Sequence, residues 1–178
     1  MNNLVAEFLD QSARRMEENT PRILKCLSEL SEEEVWKHPN ESLNSVANLI
    51  LHVCGNITQY IISSLGGAED KRERDREFSA SGGIRKQELI TRLTETVSQA
   101  TKIIRGQDER SLLGVRMVQG FQLTGIGIIV HVVEHYSYHS GQIAFWTKLL
   151  KGKDLGFYKG MNLNIRNSSE QKSTGDPA

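Results

Sequence analysis

The chain of 178 residues has only two cysteines, Cys26 and Cys54, and only three prolines. Two thiols do not make a disulfide framework, so both are expected reduced and the expected compartment is the cytosol. The scarcity of proline, with few strand-like alternations, favours an all-α reading. No charge of one sign dominates: Lys and Arg total 22, and Asp and Glu total 22. That balance lacks the basic footprint of a nucleic-acid binder. Long apolar runs are also missing. Residues 46–65 come closest, but Asn48, His52, Asn56 and Gln59 interrupt them, so no membrane span is expected. The opening Met1-Asn2-Asn3 has neither a positive region nor an apolar one, and no signal peptide is expected.

Histidine is what the chain concentrates. Three of its five histidines lie in His131-Val132-Val133-Glu134-His135-Tyr136-Ser137-Tyr138-His139. A four-residue step on an α-helix turns by about 400°, so each is offset by only about 40° from the last. His131, His135 and His139 therefore form one stripe, and Gln142 falls within it. The surrounding residues are mostly apolar, which predicts a buried helix over 121–151 with imidazoles turned inward. A second apolar helix, over 44–65 with Asn44 or Ser45 as its cap, carries Asn48, His52, Asn56 and Gln59 along one face. Such a ladder implies a polar cavity or a hydrogen-bonded network. Cys54 is expected to be a buried structural thiol.

The other segments support these two. Residues 3–30 read as a helix that Pro21 should kink or split near Asn19-Thr20. Ser31-Glu32-Glu33-Glu34 is a capping box. Residues 68–83 form a long charged connection, ordinarily a solvated loop and alternatively a cover folded over the mouth of a pocket, and it is long enough to cross the end of a bundle. Residues 85–105 are a third long helix, and 111–120 a short extended piece. Residues 152–166 should pack back through Phe157 and Tyr158. The expected domain is 1–166, with 167–178 a polar, disordered, non-helical tail.

Helices of a bundle commonly build metal sites from facing side chains. Here one helix offers His135 and His139, another His52. Three neutral imidazoles suit zinc, nickel, iron or copper and leave a position for water. An ion there lowers the pKa of a water or thiol that it binds. His131 is a surplus imidazole, read as lining the cavity. The spacing His131-x-x-Glu134-His135 matches an inverted zincin, but a downstream acidic ligand is lacking before the tail except Asp154.

The pairing of Asn48-Leu49-Ile50-Leu51-His52-Val53-Cys54-Gly55-Asn56 with Val132-Val133-Glu134-His135-Tyr136-Ser137-Tyr138-His139-Ser140-Gly141-Gln142-Ile143 resembles the DinB-like superfamily, also called the YfiT-like metal-dependent hydrolases. The resemblance runs over roughly residues 3–160. It implies a four-helix bundle holding one divalent ion on His52, His135 and His139. Nickel or zinc is the first expectation, iron or manganese the next. Asn48, Asn56, Gln59, His131 and Gln142 would line the pocket or orient the ligands. Many relatives carry arginine where this chain has Ser140. The resemblance implies hydrolysis, or transfer of a low-molecular-weight thiol onto an electrophile, and a homodimer is the expected assembly. A non-catalytic metal-binding or dimeric interaction module is the alternative.

Overall fold

The computed structural model describes residues 3–167. Helix α1 (Asn3–Glu29) buries Leu9, Ala13, Met16, Ile23 and Leu27, a three-and-four spacing that puts one face on the core. Pro21 lies inside α1, which runs through it as one helix, so the split allowed near Asn19-Thr20 does not occur. Proline removes one backbone donor, at a cost of roughly 3 kcal/mol in a helix interior. Side chains occupy the turn just before it: Asn19 Nδ2 donates to the Arg15 carbonyl at 3.0 Å, and Thr20 Oγ1 to the Met16 carbonyl at 2.8 Å. Burial of Met16 and Ile23 on either side of the proline then holds the helix in one piece.

Ser31 caps the short α2 (Glu32–Trp36) in a full capping box with Glu34. The Glu34 carboxylate also accepts from Lys151 Nζ at 2.6 and 2.8 Å, which ties this cap to the far end of the chain. Helix α3 (Val46–Ile57) is buried at every position, as an all-round apolar sequence requires. It runs on into a π-helical stretch, Thr58–Ser63. Ser45 and Asn48 form its capping box, with Ser45 fully buried. Ser45→Ala should lower the stability to urea by about 1–2 kcal/mol, the upper part of the range for a lost cap. No measurable change would mean that water replaces the hydroxyl.

The charged connection contains a short helix, α4 (Arg74–Ser79). Helix α5 (Lys86–Arg105) buries Leu89, Leu93, Val97, Ala100 and Ile104. After α6 (Glu109–Leu113), strands β1 (Val115–Val118) and β2 (Phe121–Thr124) pair antiparallel, with Val115 opposite Thr124 and Val118 opposite Phe121. Gln119 and Gly120 turn the hairpin with φ of 51° and 81°. Two positive φ values are what a tight two-residue hairpin needs. The last long helix, α7 (Gly125–Lys151), therefore begins four residues later than the apolar pattern of the sequence suggests. Thr124 caps it, accepting from Gly127 N, and Gly152 ends it in the left-handed region.

The chain is mostly helical, with this small hairpin as its strand content among the described residues. α1 packs between α5 and α7, and α3 packs on the same two helices from the other side. α3 and α7 thus face each other across the interior. Cys26 and Cys54 are buried and unpaired with one another, and burial pushes the Cys54 thiol up to about 12. At the C-terminal side Leu155 is buried and Phe157 packs partly on the core. The Arg22 guanidinium lies over the Tyr158 ring. The expected disordered tail falls, apart from Asn167, outside the described residues. Among the described residues no helix is long and apolar enough to cross a membrane.

Candidate metal centre

His52 stands in the middle of α3, and His135 and His139 stand one turn apart on α7. Their Nε2 atoms converge. His135 Nε2 lies 3.1 Å from that of His52 and 3.2 Å from that of His139. One nitrogen from each of the three lies within 4.8 Å of the others. Nitrogens about 2.0–2.1 Å from a tetrahedral zinc sit roughly 3.3 Å from one another, so the spacing matches a coordination shell.

The proton assignments point the same way. His52 Nδ1 meets Glu77 Oε2 at 2.9 Å, and His139 Nδ1 meets Gln142 Oε1 at 2.7 Å. Both partners are acceptors. Arg72 Nη2, a donor, also lies 3.2 Å from His52 Nδ1, but the shorter contact is to the Glu77 carboxylate, to which that amine already donates. Each Nδ1 is thus assigned the proton, and each Nε2 presents a lone pair. His135 Nε2 can satisfy only one of those lone pairs by donating. Its own Nδ1 is buried and lacks a hydrogen-bond partner among the described residues. Burial, then the neighbouring imidazoles, brings the His135 pKa down to about 3. Burial brings that of His139 to about 4, against an opposing hydrogen bond to Gln142. Both rings are neutral near pH 7, the state a metal requires. The three-histidine cluster can hold a metal ion.

The charged connection is not wholly the solvated loop that its sequence suggests. It folds over α3, and Glu77 is buried against His52. Arg72 clamps the carboxylate with Nε on Oε1 at 2.8 Å and Nη2 on Oε2 at 2.9 Å. Burial pushes the Glu77 carboxyl up, but the bonds from Arg72 and His52 outweigh it and hold the group below the usual range. The second Arg72 amine reaches Gln59 Oε1 at 2.9 Å, and Gln59 Nε2 reaches Asp70 at 2.8 Å. A carboxylate on the far nitrogen of a ligand histidine fixes its tautomer and raises its basicity. Room for that carboxylate comes from Gly55, one turn beyond His52. A Cβ there would lie 2.7 Å from the Glu77 Cδ.

The polar ladder of α3 does several separate jobs. Asn48 completes the cap of α3 and donates to the carbonyls of Glu77 at 2.9 Å and Ala80 at 2.8 Å, so it holds down α4 away from the imidazoles. Asn56 Nδ2 meets His131 Nε2 at 3.2 Å, while Asn56 Oδ1 is buried and lacks a partner among the described residues. Gln59 belongs to the Arg72 clamp. His131 stacks on Tyr60, whose hydroxyl donates to Gln119 Oε1 at 2.9 Å, so the hairpin turn closes that end. His131 is not in the converging set of three. Gln142 touches His139 and donates to the Tyr138 hydroxyl at 3.0 Å. Glu134, the acid of the inverted zincin spacing, is exposed. Arg72, Glu77 and Gly55 carry no pattern that marks them in the sequence as parts of the site. The one available signal is the glycine: a lone glycine inside an apolar helix indicates that something approaches it closely.

Comparison with known proteins agrees with this architecture. A conserved protein from Enterococcus faecalis superposes with a TM-score of 0.61 at 20% identity, over 86% of this chain and 98% of that one. A DinB-like protein from Bacillus cereus ATCC 10987 superposes with a TM-score of 0.62 at 14% identity, over 83% and 93%. At such identities the likeness concerns the fold alone, which is DinB-like. No curated protein matches the chain. The family model described as "Protein of unknown function (DUF1572)" matches residues 3–160, nearly the whole chain, and the protein is a member of the DUF1572 family.

Proposed function

We propose that His52, His135 and His139 ligate one divalent ion in a four-helix bundle, and that this centre serves a hydrolase or a thiol transferase. One observation carries the reading: three Nε2 atoms face one point, while acceptors fix the far nitrogens of His52 and His139. Such an ion, zinc or nickel by the chemistry of the donors, would make a water or a low-molecular-weight thiol nucleophilic near neutral pH. Glu77 and Gln142 keep their imidazoles oriented. Arg72 keeps Glu77 ionised in a buried place and closes that side to water. Near the three nitrogens the described residues offer no free carboxylate as a general base, since Glu77 is fully engaged. That favours thiol transfer over hydrolysis.

The test is metal content of untagged protein by elemental analysis, wild type against His52→Ala and His135→Ala. About one ion per chain is expected, lost in both variants. Wild-type protein that stays metal-free after incubation with zinc, nickel and manganese would sink the reading. A second reading, a metal staple without catalysis, draws support from the Arg72–Glu77 pair that seals one side of the cluster. It predicts that chelation lowers stability, whereas no small ligand reaches the ion.

A further inference from the structure

A groove of about 580 Å³ opens beside the histidine cluster, between α7 and the segment that leads into α3. Leu43, Leu49, Phe145, Trp146 and Leu149 give it an apolar wall, Asn40, Ser42 and Asn44 line it from the loop, and His139, Gln142 and Tyr138 line it from α7. No lysine, arginine, aspartate or glutamate lines it. Four other cavities of the described residues are each lined by several ionised side chains. Exposed apolar side chains stand along the groove, as they also do at the hairpin: Leu43 is 52% exposed, Phe145 70% and Leu149 63%. Volume and lining suit a small organic molecule, for which sites are mainly apolar with a few orienting polar groups. Those polar groups here include His139 itself, whose ring lines the groove while its Nε2 belongs to the cluster.

We propose that this groove binds the uncharged apolar or aryl portion of the substrate, with the reacting group directed to the three-histidine centre. The assignment rests on the metal reading above and adds the substrate class: an electrophile with a neutral hydrophobic body. Gln142, bonded to both His139 and Tyr138, links the groove lining to the cluster.

Hydroxamates test this, because they chelate the ion and carry a variable tail. Acetohydroxamate, benzohydroxamate and 3-phenylpropanohydroxamate would be titrated calorimetrically into zinc-loaded protein, with zinc content measured on each sample. At least one aryl member should bind about tenfold or more tighter than acetohydroxamate, as burial of a ring predicts. Phe145→Asp and Leu43→Asp, both at exposed positions, should cut that ratio severalfold, whereas Leu113→Asp, remote and 60% exposed, should leave it unchanged. No aryl preference, or a preference that both groove variants retain, overturns the proposal. So does a preference unchanged while the variants turn a dimer into a monomer by light scattering, which would make the face a contact between copies. Zinc-loaded protein that binds none of the three overturns the groove and favours the staple. Protein that takes up no zinc fails at the metal reading instead, and the zinc measurement separates the two failures.

Discussion

Arg72→Met should destabilise the protein by about 3–5 kcal/mol in urea unfolding, the range for breaking a buried ion pair at one partner. The side chains of Arg72 and Glu77 are only 3% and 8% exposed. Removal of the guanidinium takes two hydrogen bonds from the Glu77 carboxylate, one from Gln59, and the 3.2 Å contact with His52 Nδ1. It leaves a buried charge with His52 as its one side-chain partner among the described residues. The double variant Arg72→Met/Glu77→Met should recover most of the loss, because an apolar pair of similar volume carries no desolvation penalty. Zinc affinity should not recover with it. Without the carboxylate, His52 Nδ1 loses the partner that orients the ring, and affinity should fall about 10–100-fold, as for other partners of ligand histidines. Stability and metal affinity would thus separate in one pair of variants. A loss below about 1 kcal/mol in Arg72→Met, typical of an exposed pair, would show that water reaches the clamp.

How much of the fold and site is legible in the sequence follows from which interactions are local. The four-residue spacing of His131, His135 and His139 is a property of one helix, and so is the row Asn48, His52, Asn56 and Gln59. Periodicity alone therefore places the histidines on two inward faces. It does not say which polar residue meets which partner. Asn48 serves a cap and a neighbouring backbone, because its partner carbonyls lie some thirty residues away, in α4 and just beyond it. The charged run hides more. Within Arg72-Glu73-Arg74-Asp75-Arg76-Glu77 nothing local distinguishes Arg72, buried in the clamp, from Arg76, whose side chain is 79% exposed. Only the tertiary approach of the loop to α3 selects Arg72 and Glu77. The start of α7 is hidden for a related reason. Phe121 to Thr124 continue the apolar character of the helix, and the competing strand pairing depends on the positive φ of Gln119 and Gly120.

Gly55→Ala should reverse the usual sign of a glycine-to-alanine change in a helix. In an open helical position that change stabilises by roughly 0.5–1 kcal/mol, since alanine loses less conformational entropy. Gly141 in α7 is such a position, with nothing beyond its own chain neighbours and helix backbone within 4 Å of the place its Cβ would take. Gly141→Ala should therefore leave zinc binding intact and raise stability by up to about 1 kcal/mol. At Gly55 the new methyl would overlap Glu77, lying 2.7 Å from its Cδ and 3.1 Å from Arg72 Nε. The carboxylate is pinned by Arg72 and His52, so it cannot yield without breaking those bonds. Either Glu77 leaves and His52 loses its orienting partner, or α3 shifts and the three Nε2 atoms no longer converge. Both routes predict a loss of about 1–3 kcal/mol, the cost of overpacking, and zinc affinity reduced about 10–100-fold. The pair is read by urea unfolding and competitive zinc titration on the same preparations. If Gly55→Ala behaves like Gly141→Ala in both measurements, the carboxylate is not seated against α3, and Glu77 has no part in holding His52.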